Sequence, residues 1–193
     1  MYYILKQNYT DQSLEIIPAS HFQNSLSMGR KMPSDFVEPL LYEIDTEGIG
    51  EEDHDDNVNN KKKTFPSTFL PEPLFSINLV ETLLAFGVDN IDVYQTVIMN
   101  PETGEEFRNY RGVNIVGVVS CADFSESKYE DLAESYVFRN LVISPDKISG
   151  FDIFRLAEDD ETVLVSDRLK DLLEVKFTDL AFQTVEETLT KFQ

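Results

Sequence analysis

The chain has 193 residues and a formal net charge of −20, because it contains 36 acidic residues and only 16 basic ones. A surface of this sign repels nucleic acids and anionic membranes, so we expect neither as a partner. No apolar run approaches the roughly 20 residues that a membrane-spanning helix needs, and a single cysteine, Cys121, excludes an intrachain disulfide.

The hydrophobic content of 41% is enough for one core, so we expect a single domain over residues 1–193. The first residues lack the basic stretch and long apolar run of a secretory signal, which favours a soluble, cytoplasmic protein. Short strands are predicted at Tyr3–Leu5 and Leu40–Ile44. Between Gly48 and Lys63 only two residues are apolar. Because such a segment cannot offset its ordering entropy, we expect an exposed, mobile acidic loop at 48–63.

The rest of the chain is predicted to alternate strands with a few helices. The predicted strands are Val93–Met99, Val113–Ser120, Tyr136–Ile143, Phe151–Leu156 and Val163–Val165. Three helices are predicted. The first begins after Ser76, and the other two cover Asp167–Glu174 and Thr184–Phe192. This order of elements predicts an α+β fold, with a mixed sheet and a few packed helices.

One segment of the sequence, Leu74–Val97, recurs in recognisable form as Leu164–Val185. Each copy has a serine, then apolar residues three to four apart, then alternating apolar residues. This pattern predicts a serine-capped helix leading into a strand. The aligned pairs include Ser76 with Ser166, Leu79 with Leu169, Leu83 with Leu173, and Asn90 with Asp179. The similarity indicates a duplicated helix–strand unit, although two amphipathic helices can also resemble each other by chance.

Residues that could carry out catalysis or bind a metal are few. Neither His21 nor His54 has a second histidine or a cysteine nearby, which favours a packed or surface role. The acidic run at Glu51–Asp56 lacks the glycine and the final glutamate of an EF-hand loop. Cys121 has no basic neighbour before Lys128, so nothing predicts a lowered thiol pKa. We therefore expect no catalytic residue, no metal and no cofactor.

A family resemblance is carried by short motifs, mostly in the last 80 residues. These motifs are Phe107-x-x-Tyr110, Val113–Gly117, Asp123, Ser127, Ile148–Leu156 and Val163–Lys170, together with the Tyr2–Tyr3 pair near the start. With them, the chain resembles the bacterial immunity-protein family called Imm11. The resemblance implies a protein that binds a secreted toxin in the producing cell or its siblings and blocks it by direct contact, without catalysis.

The negative net charge of the chain independently predicts a positively charged partner. A cognate toxin with a basic surface, such as a nuclease, would be attracted by the acidic surface of this chain. We therefore take the densest acidic runs and three tyrosines with polar neighbours as candidate partner-binding residues. They are Glu51, Glu52, Asp53, Asp55, Asp56, Glu158, Asp159, Asp160, Glu161, Tyr110, Tyr129 and Tyr136.

The alternative hypothesis is a small acidic enzyme or a ligand-sensing domain with an unassigned pocket. A buried polar residue beside Cys121, His21 or Tyr110 in a deep cleft would favour this alternative. A neighbouring gene that encodes a toxin domain would favour the immunity protein.

Overall fold

The fold is described from a computed structural model that covers residues 1–8, 10, 13–19, 26, 29, 32, 39–45, 65–70, 72–132, 136–148, 150–159 and 161–185. Strands and helices are numbered here in chain order. The described strands are β1 Tyr2–Gln7, β2 Ile16–Pro18, β3 Leu40–Ile44, β4 Thr68–Phe69, β5 Glu72–Ser76, β6 Ile91–Met99, β7 Glu106–Phe107, β8 Tyr110–Ile115, β9 Val118–Val119, β10 Lys128–Asp131, β11 Tyr136–Asn140, β12 Ile153–Leu156, β13 Val163–Ser166 and β14 Leu180–Thr184. The described α-helices are α1 Ile77–Phe86 and α2 Asp167–Lys176.

Both helices begin at a serine that ends a strand. The hydroxyl of Ser76 accepts a hydrogen bond of 3.3 Å from the backbone N–H of Leu79, and α1 begins there. The hydroxyl of Ser166 accepts an equivalent bond of 3.3 Å from Leu169, where α2 begins. Each bond satisfies one of the N–H groups that the first helical turn leaves unpaired, so the predicted caps are confirmed. Helix α1 ends at Gly87, whose φ of 102° glycine adopts without steric cost.

The strands form two large sheets and one hairpin. The seven-stranded sheet has the order β2-β3-β6-β8-β5-β4, with β7 paired to β6 beside that path. The five-stranded sheet has the order β14-β1-β13-β12-β9. Strands β10 and β11 pair only with each other. These mixed sheets with their two helices make the fold α+β, as predicted.

The two helices connect strands in the same way, each within its own sheet. Helix α1 joins β5 to β6, and β8 lies between these two strands and antiparallel to both. Helix α2 joins β13 to β14, and β1 takes the position between them. The strand register is also the same: the pairs Ser76–Tyr110 and Ile91–Ile115 correspond to Ser166–Tyr2 and Leu180–Gln7.

The turns after the two helices hold the sheets together. Asn90 donates from its side-chain amide to the carbonyl of Ile153 in the other sheet, at 2.9 Å. Its counterpart Asp179 accepts from the hydroxyl of Ser67, next to β4, at 2.7 Å. Two residues that the sequence comparison aligned therefore each bind the opposite sheet.

The core consists of three hydrophobic clusters. The central cluster contains residues of both helices and of the facing sides of both sheets, among them Leu5, Phe75, Leu79, Leu83, Val113, Ile115, Ile153, Val165, Leu169 and Leu173. The second cluster, on the other side of the five-stranded sheet, includes Ile4, Cys121, Phe138, Phe154 and Leu164. The third, on the other side of the seven-stranded sheet, includes Leu40, Tyr42, Leu74, Ile98 and Tyr110.

Two strand predictions were wrong. The apolar run Val113–Ser120 is not one strand, since β8 ends at Ile115 in one sheet and β9 pairs with β12 in the other. Gly117, with a φ of 123°, lies at this crossing. The predicted strand Tyr136–Ile143 ends at Asn140 and pairs with β10, which was not predicted.

Several sequence predictions lie outside the described residues. They are the acidic loop at 48–63, both histidines, and the part of the predicted closing helix beyond Val185. Thr184, its first residue, belongs to β14. In the part of the chain that the structure describes, no helix is long and apolar enough to cross a membrane.

Candidate partner-binding surface

An aromatic cluster lies on the β10–β11 hairpin and the turn before it. We define it as Phe124, Tyr129, Tyr136 and Phe138. The ring centroids of Phe124 lie 4.9 Å from those of both Tyr129 and Tyr136. Phe138 is buried, whereas Phe124 is 38% and Tyr129 40% exposed. The cluster thus rests on the core through Phe138 and presents part of its aromatic surface to solvent.

Hydrogen bonds to the backbone fix the turn that carries Phe124. The carboxylate of Asp123 accepts from the backbone N–H and the hydroxyl of Ser125, at 3.0 and 2.6 Å. These bonds lower the pKa of Asp123, because they stabilise its charged form. Ser127 bonds both backbone groups of Val142, donating at 3.2 Å and accepting at 2.9 Å. The motif residues Asp123 and Ser127 therefore position the aromatic cluster.

Exposed acidic side chains lie on the same turn and hairpin as this cluster. Glu126 lies on the turn, and Glu130 and Asp131 lie on β10. Glu130 forms an ion pair with Arg139 on the outer side of the hairpin. The surface therefore combines accessible aromatic rings with negative charge at its edge, an arrangement common in protein interfaces with a basic partner.

The predicted acidic patch at Glu158–Glu161 lies on the turn between β12 and β13. Glu158 accepts from the hydroxyl of Ser120 at 2.6 Å, which places this turn beside the segment leading to the aromatic cluster. Asp159 accepts from the hydroxyl of Thr162 at 2.6 Å, and Glu161 is exposed. Asp160 lies outside the described residues.

This turn forms one wall of a cleft of about 330 Å³. Asp159, Glu161 and Thr162 lie on that wall. The rest of the lining comes from Leu5, Lys6 and Gln7 of β1 and from Leu70 after β4. A cleft of this size lies at the small end of the range of ligand pockets. It therefore has room for a side chain or a small ligand.

Tyr110 is not available to a partner, which corrects the sequence prediction. Its side chain is 1% exposed and packs against Phe69, with ring centroids 5.2 Å apart. Its hydroxyl donates to the carbonyl of Pro66, and burial raises its pKa. Tyr129 and Tyr136 remain candidates because they lie in the aromatic cluster. The candidates between Glu51 and Asp56 lie outside the described residues.

Sequence reasoning missed several residues of these surfaces, among them Phe124 and Gln7. Phe124 carries a weak signal, since it is an aromatic residue between the polar turn residues Asp123 and Ser125. Gln7 carries none, because only the pairing of β1 with β13 and β14 places it in the cleft.

No group of three or more His, Cys, Asp and Glu side chains that could hold a metal ion occurs within the described ranges. Cys121 is fully buried, and burial raises the pKa of its thiol to about 12. A protonated, inaccessible thiol is a poor nucleophile.

The fold and these surfaces define a small α+β protein with an exposed aromatic cluster edged by acidic residues. A sequence model of the immunity protein family Imm11 matches residues 87–187, which is more than half of the chain. The chain therefore belongs to the Imm11 immunity protein family. The matched region runs from the end of α1 through β14, so it includes the aromatic cluster and the β12–β13 turn but not β1. No curated protein matches the chain.

Proposed function

We propose that this protein binds a cognate secreted bacterial toxin and neutralises it by direct protein–protein contact. Membership in the Imm11 family is the observation that carries this proposal. Inhibition by contact requires a complementary surface of about 1,200 to 2,000 Å² in total and no catalytic step. The protein then acts as a binding protein in the cytoplasm, where a toxin-producing cell needs protection.

The contact surface in this proposal is centred on the aromatic cluster. Tyrosine is one of the residues that most often contribute large binding energies at interfaces. The exposed ring of Tyr129 packs on the buried Phe138, with centroids 6.0 Å apart, so its position is already fixed before a partner binds. Fixed side chains lose little entropy on binding, which supports this cluster as the anchor.

The charge supports a basic toxin. Glu126 and Asp131 beside the aromatic cluster would attract such a surface, and so would the β12–β13 turn. Toxins that act on nucleic acids carry basic surfaces, because they must neutralise phosphates. We therefore propose a nuclease-type toxin.

We also propose that the chain is one domain that contains a duplicated unit. The central cluster joins β1 at the start of the chain to β14 near the end of the described part, which supports a single domain. The shared strand register, the two serine caps and the equivalent roles of Asn90 and Asp179 support a duplication that includes a third strand, β8 in one copy and β1 in the other.

Co-expression tests the proposed function. The neighbouring toxin domain is expressed with and without this protein, and we expect growth arrest to be relieved only when this protein is present. Continued arrest, with both proteins expressed and folded, would contradict the proposal.

The aromatic cluster has its own test in the purified complex. We expect Tyr129→Ala to raise the dissociation rate of the toxin at least about tenfold, because it removes a fixed ring from the centre of the contact. Val175→Ala is the matched control, since Val175 is 84% exposed on α2 and lies outside the cluster. Equal dissociation rates for both variants would exclude the cluster as the anchor.

The alternative of a ligand-sensing domain is favoured by one observation, the cleft beside the β12–β13 turn. The ligand-sensing hypothesis and the immunity hypothesis predict different results in the co-expression experiment. A sensor would bind a small ligand in this cleft and would leave the toxin active in the co-expression experiment.

A further inference from the structure

The cleft beside the β12–β13 turn contains a buried polar group that the fold leaves unsatisfied. Gln7 is only 8% exposed, and neither the oxygen nor the nitrogen of its side-chain amide has a hydrogen-bond partner. A buried amide without partners costs free energy, so such groups are rare unless something else pairs with them. Both amide atoms are covered in the free protein, but Gln7 lines the cleft, so a rotation of its side chain would present them to an incoming molecule that supplies both partners.

The first helix–strand unit, in which α1 joins β5 to β6, shows which kind of residue occupies this position when it serves only the core. The register that pairs Gln7 with Leu180 corresponds to the register that pairs Ile115 with Ile91. Ile115 is fully buried in the central cluster. An apolar side chain therefore fits this place in the architecture, and the unpaired glutamine is not required by the fold.

The other lining groups indicate the chemistry of the occupant. Asp159 and Glu161 offer two carboxylates, against the single ammonium of Lys6, so the cleft favours a cation. The oxygen of Gln7 accepts hydrogen bonds, and so do the carboxylates. A guanidinium group has five N–H donors in a planar arrangement and can bond several acceptors at once, whereas an ammonium acts as a point charge. The amide nitrogen of Gln7 requires an acceptor, which the backbone carbonyl of a peptide would supply.

We infer that this cleft receives an arginine residue of the bound toxin. The guanidinium is held by Asp159, Glu161 and the amide oxygen of Gln7, and a nearby carbonyl of the toxin accepts from the amide nitrogen. This inference rests on the proposed function, since it assigns one contact within the toxin complex. It adds a second binding site, outside the aromatic cluster.

The test compares two properties of Gln7→Ile, the substitution that copies Ile115. We expect toxin affinity to fall at least about tenfold, because the paired amide is lost. We expect the thermal midpoint of the free protein to stay the same or rise, because the unpaired amide is also lost. Affinity is measured by calorimetry with the intact protein and the toxin domain, and the midpoint by circular dichroism.

A second variant tests the cleft without altering the core. Glu161→Gln changes one exposed carboxylate and should weaken the complex about threefold to tenfold. Glu81→Gln is the matched control, because Glu81 is an exposed acid on α1 that does not line the cleft. We expect the control to change affinity less than twofold.

The outcomes separate this inference from the proposed function. If the unmodified protein does not bind the toxin, the proposed function fails. If it binds, and Gln7→Ile and Glu161→Gln bind equally well, the proposed function stands and the cleft inference is overturned. Titration with arginine amide alone distinguishes the source of the guanidinium. The inference would also be overturned if arginine amide bound tightly to the unmodified protein and not to Gln7→Ile, while Gln7→Ile bound the toxin as well as the unmodified protein does. That result would assign the cleft to a free ligand.

Discussion

Ser76 and Ser166 cap equivalent helices in different surroundings. Ser166 also donates to the carboxylate of Asp152 at 2.5 Å, and Asp152 accepts from the guanidinium of Arg168 at 2.7 Å. Burial alone would raise the pKa of Asp152, but the bonds from Arg168 and Ser166 hold it below its ordinary value. Ser166 is thus both a cap and part of an ion-pair network that connects α2 to the residue before β12.

We predict different losses of stability for the two caps. Ser76→Ala should lower the free energy of unfolding by about 1 kcal/mol, the usual cost of a lost cap. Ser166→Ala should cost about 2 to 3 kcal/mol, because it also removes a hydrogen bond to a charged group. Urea denaturation of both variants at pH 7 measures the difference. Equal losses would show that the bond to Asp152 contributes nothing.

Cys121 allows a prediction about reactivity. Because burial raises its pKa to about 12, its thiol stays protonated at pH 8, where an ordinary cysteine with a pKa of about 8.5 is partly ionised. We expect iodoacetamide to react roughly a thousandfold more slowly with the native protein than with the protein in urea. Mass spectrometry at timed intervals measures both rates. Similar rates would mean that Cys121 is accessible in the native state.

At the scale of elements, each helix depends on a few leucines that enter the central cluster. Leu169 and Leu173 of α2 are fully buried, whereas Leu172 is only partly buried and Val175 is exposed. Phe86 of α1 lies under the guanidinium of Arg168, 5.3 Å from ring centroid to carbon, so the two helices also contact each other. The position of a leucine on the helix therefore decides what its removal costs.

We predict that Leu173→Ala lowers the free energy of unfolding by about 2 to 5 kcal/mol, since it leaves a cavity between the sheets. Val175→Ala on the same helix should change it by less than about 0.5 kcal/mol, because the side chain is already exposed. Thermal and urea denaturation of both variants provide the measurement. A small loss for Leu173→Ala would mean that α2 does not depend on the central cluster.

At the scale of the whole molecule, the charge of −20 predicts how association depends on salt. Exposed charges act over a Debye length of about 8 Å at physiological ionic strength, so they speed the encounter more than they hold the complex. We expect the association rate with a basic toxin to fall at least about tenfold between 20 and 500 mM salt (roughly the range over which screening acts), with little change in dissociation.

Neutralising Glu158, Asp159 and Glu161 together should slow association at low salt and weaken its salt dependence, with stopped-flow kinetics as the measurement. It should also speed dissociation, because Asp159 and Glu161 hold the arginine of the bound toxin. Tyr129→Ala provides the contrast, because it should change dissociation and leave the salt dependence as it was. An association rate that is indifferent to salt in the unmodified protein would exclude electrostatic attraction, although an apolar contact would remain compatible with immunity.

The sequence alone determined the local features of this protein. The serine caps, the spacing of Leu169 and Leu173, and the strand at Leu40–Ile44 follow from interactions between residues close in the chain, so a periodic pattern was enough to predict them. The family resemblance also rested on short sequence motifs, and the family match to residues 87–187 confirms it.

Only the tertiary structure decided which strands pair and which side chains are covered. The run Val113–Ser120 has uniform strand character, and its division between two sheets depends on partners far away in the chain. Tyr110 and Tyr129 both have polar neighbours, yet one is buried by Phe69 and the other is exposed on a hairpin. Gln7 lines a cleft only because the β12–β13 turn, some 150 residues away in the chain, forms one wall of it. Pairing and burial depend on long-range contacts, and a local pattern does not encode them.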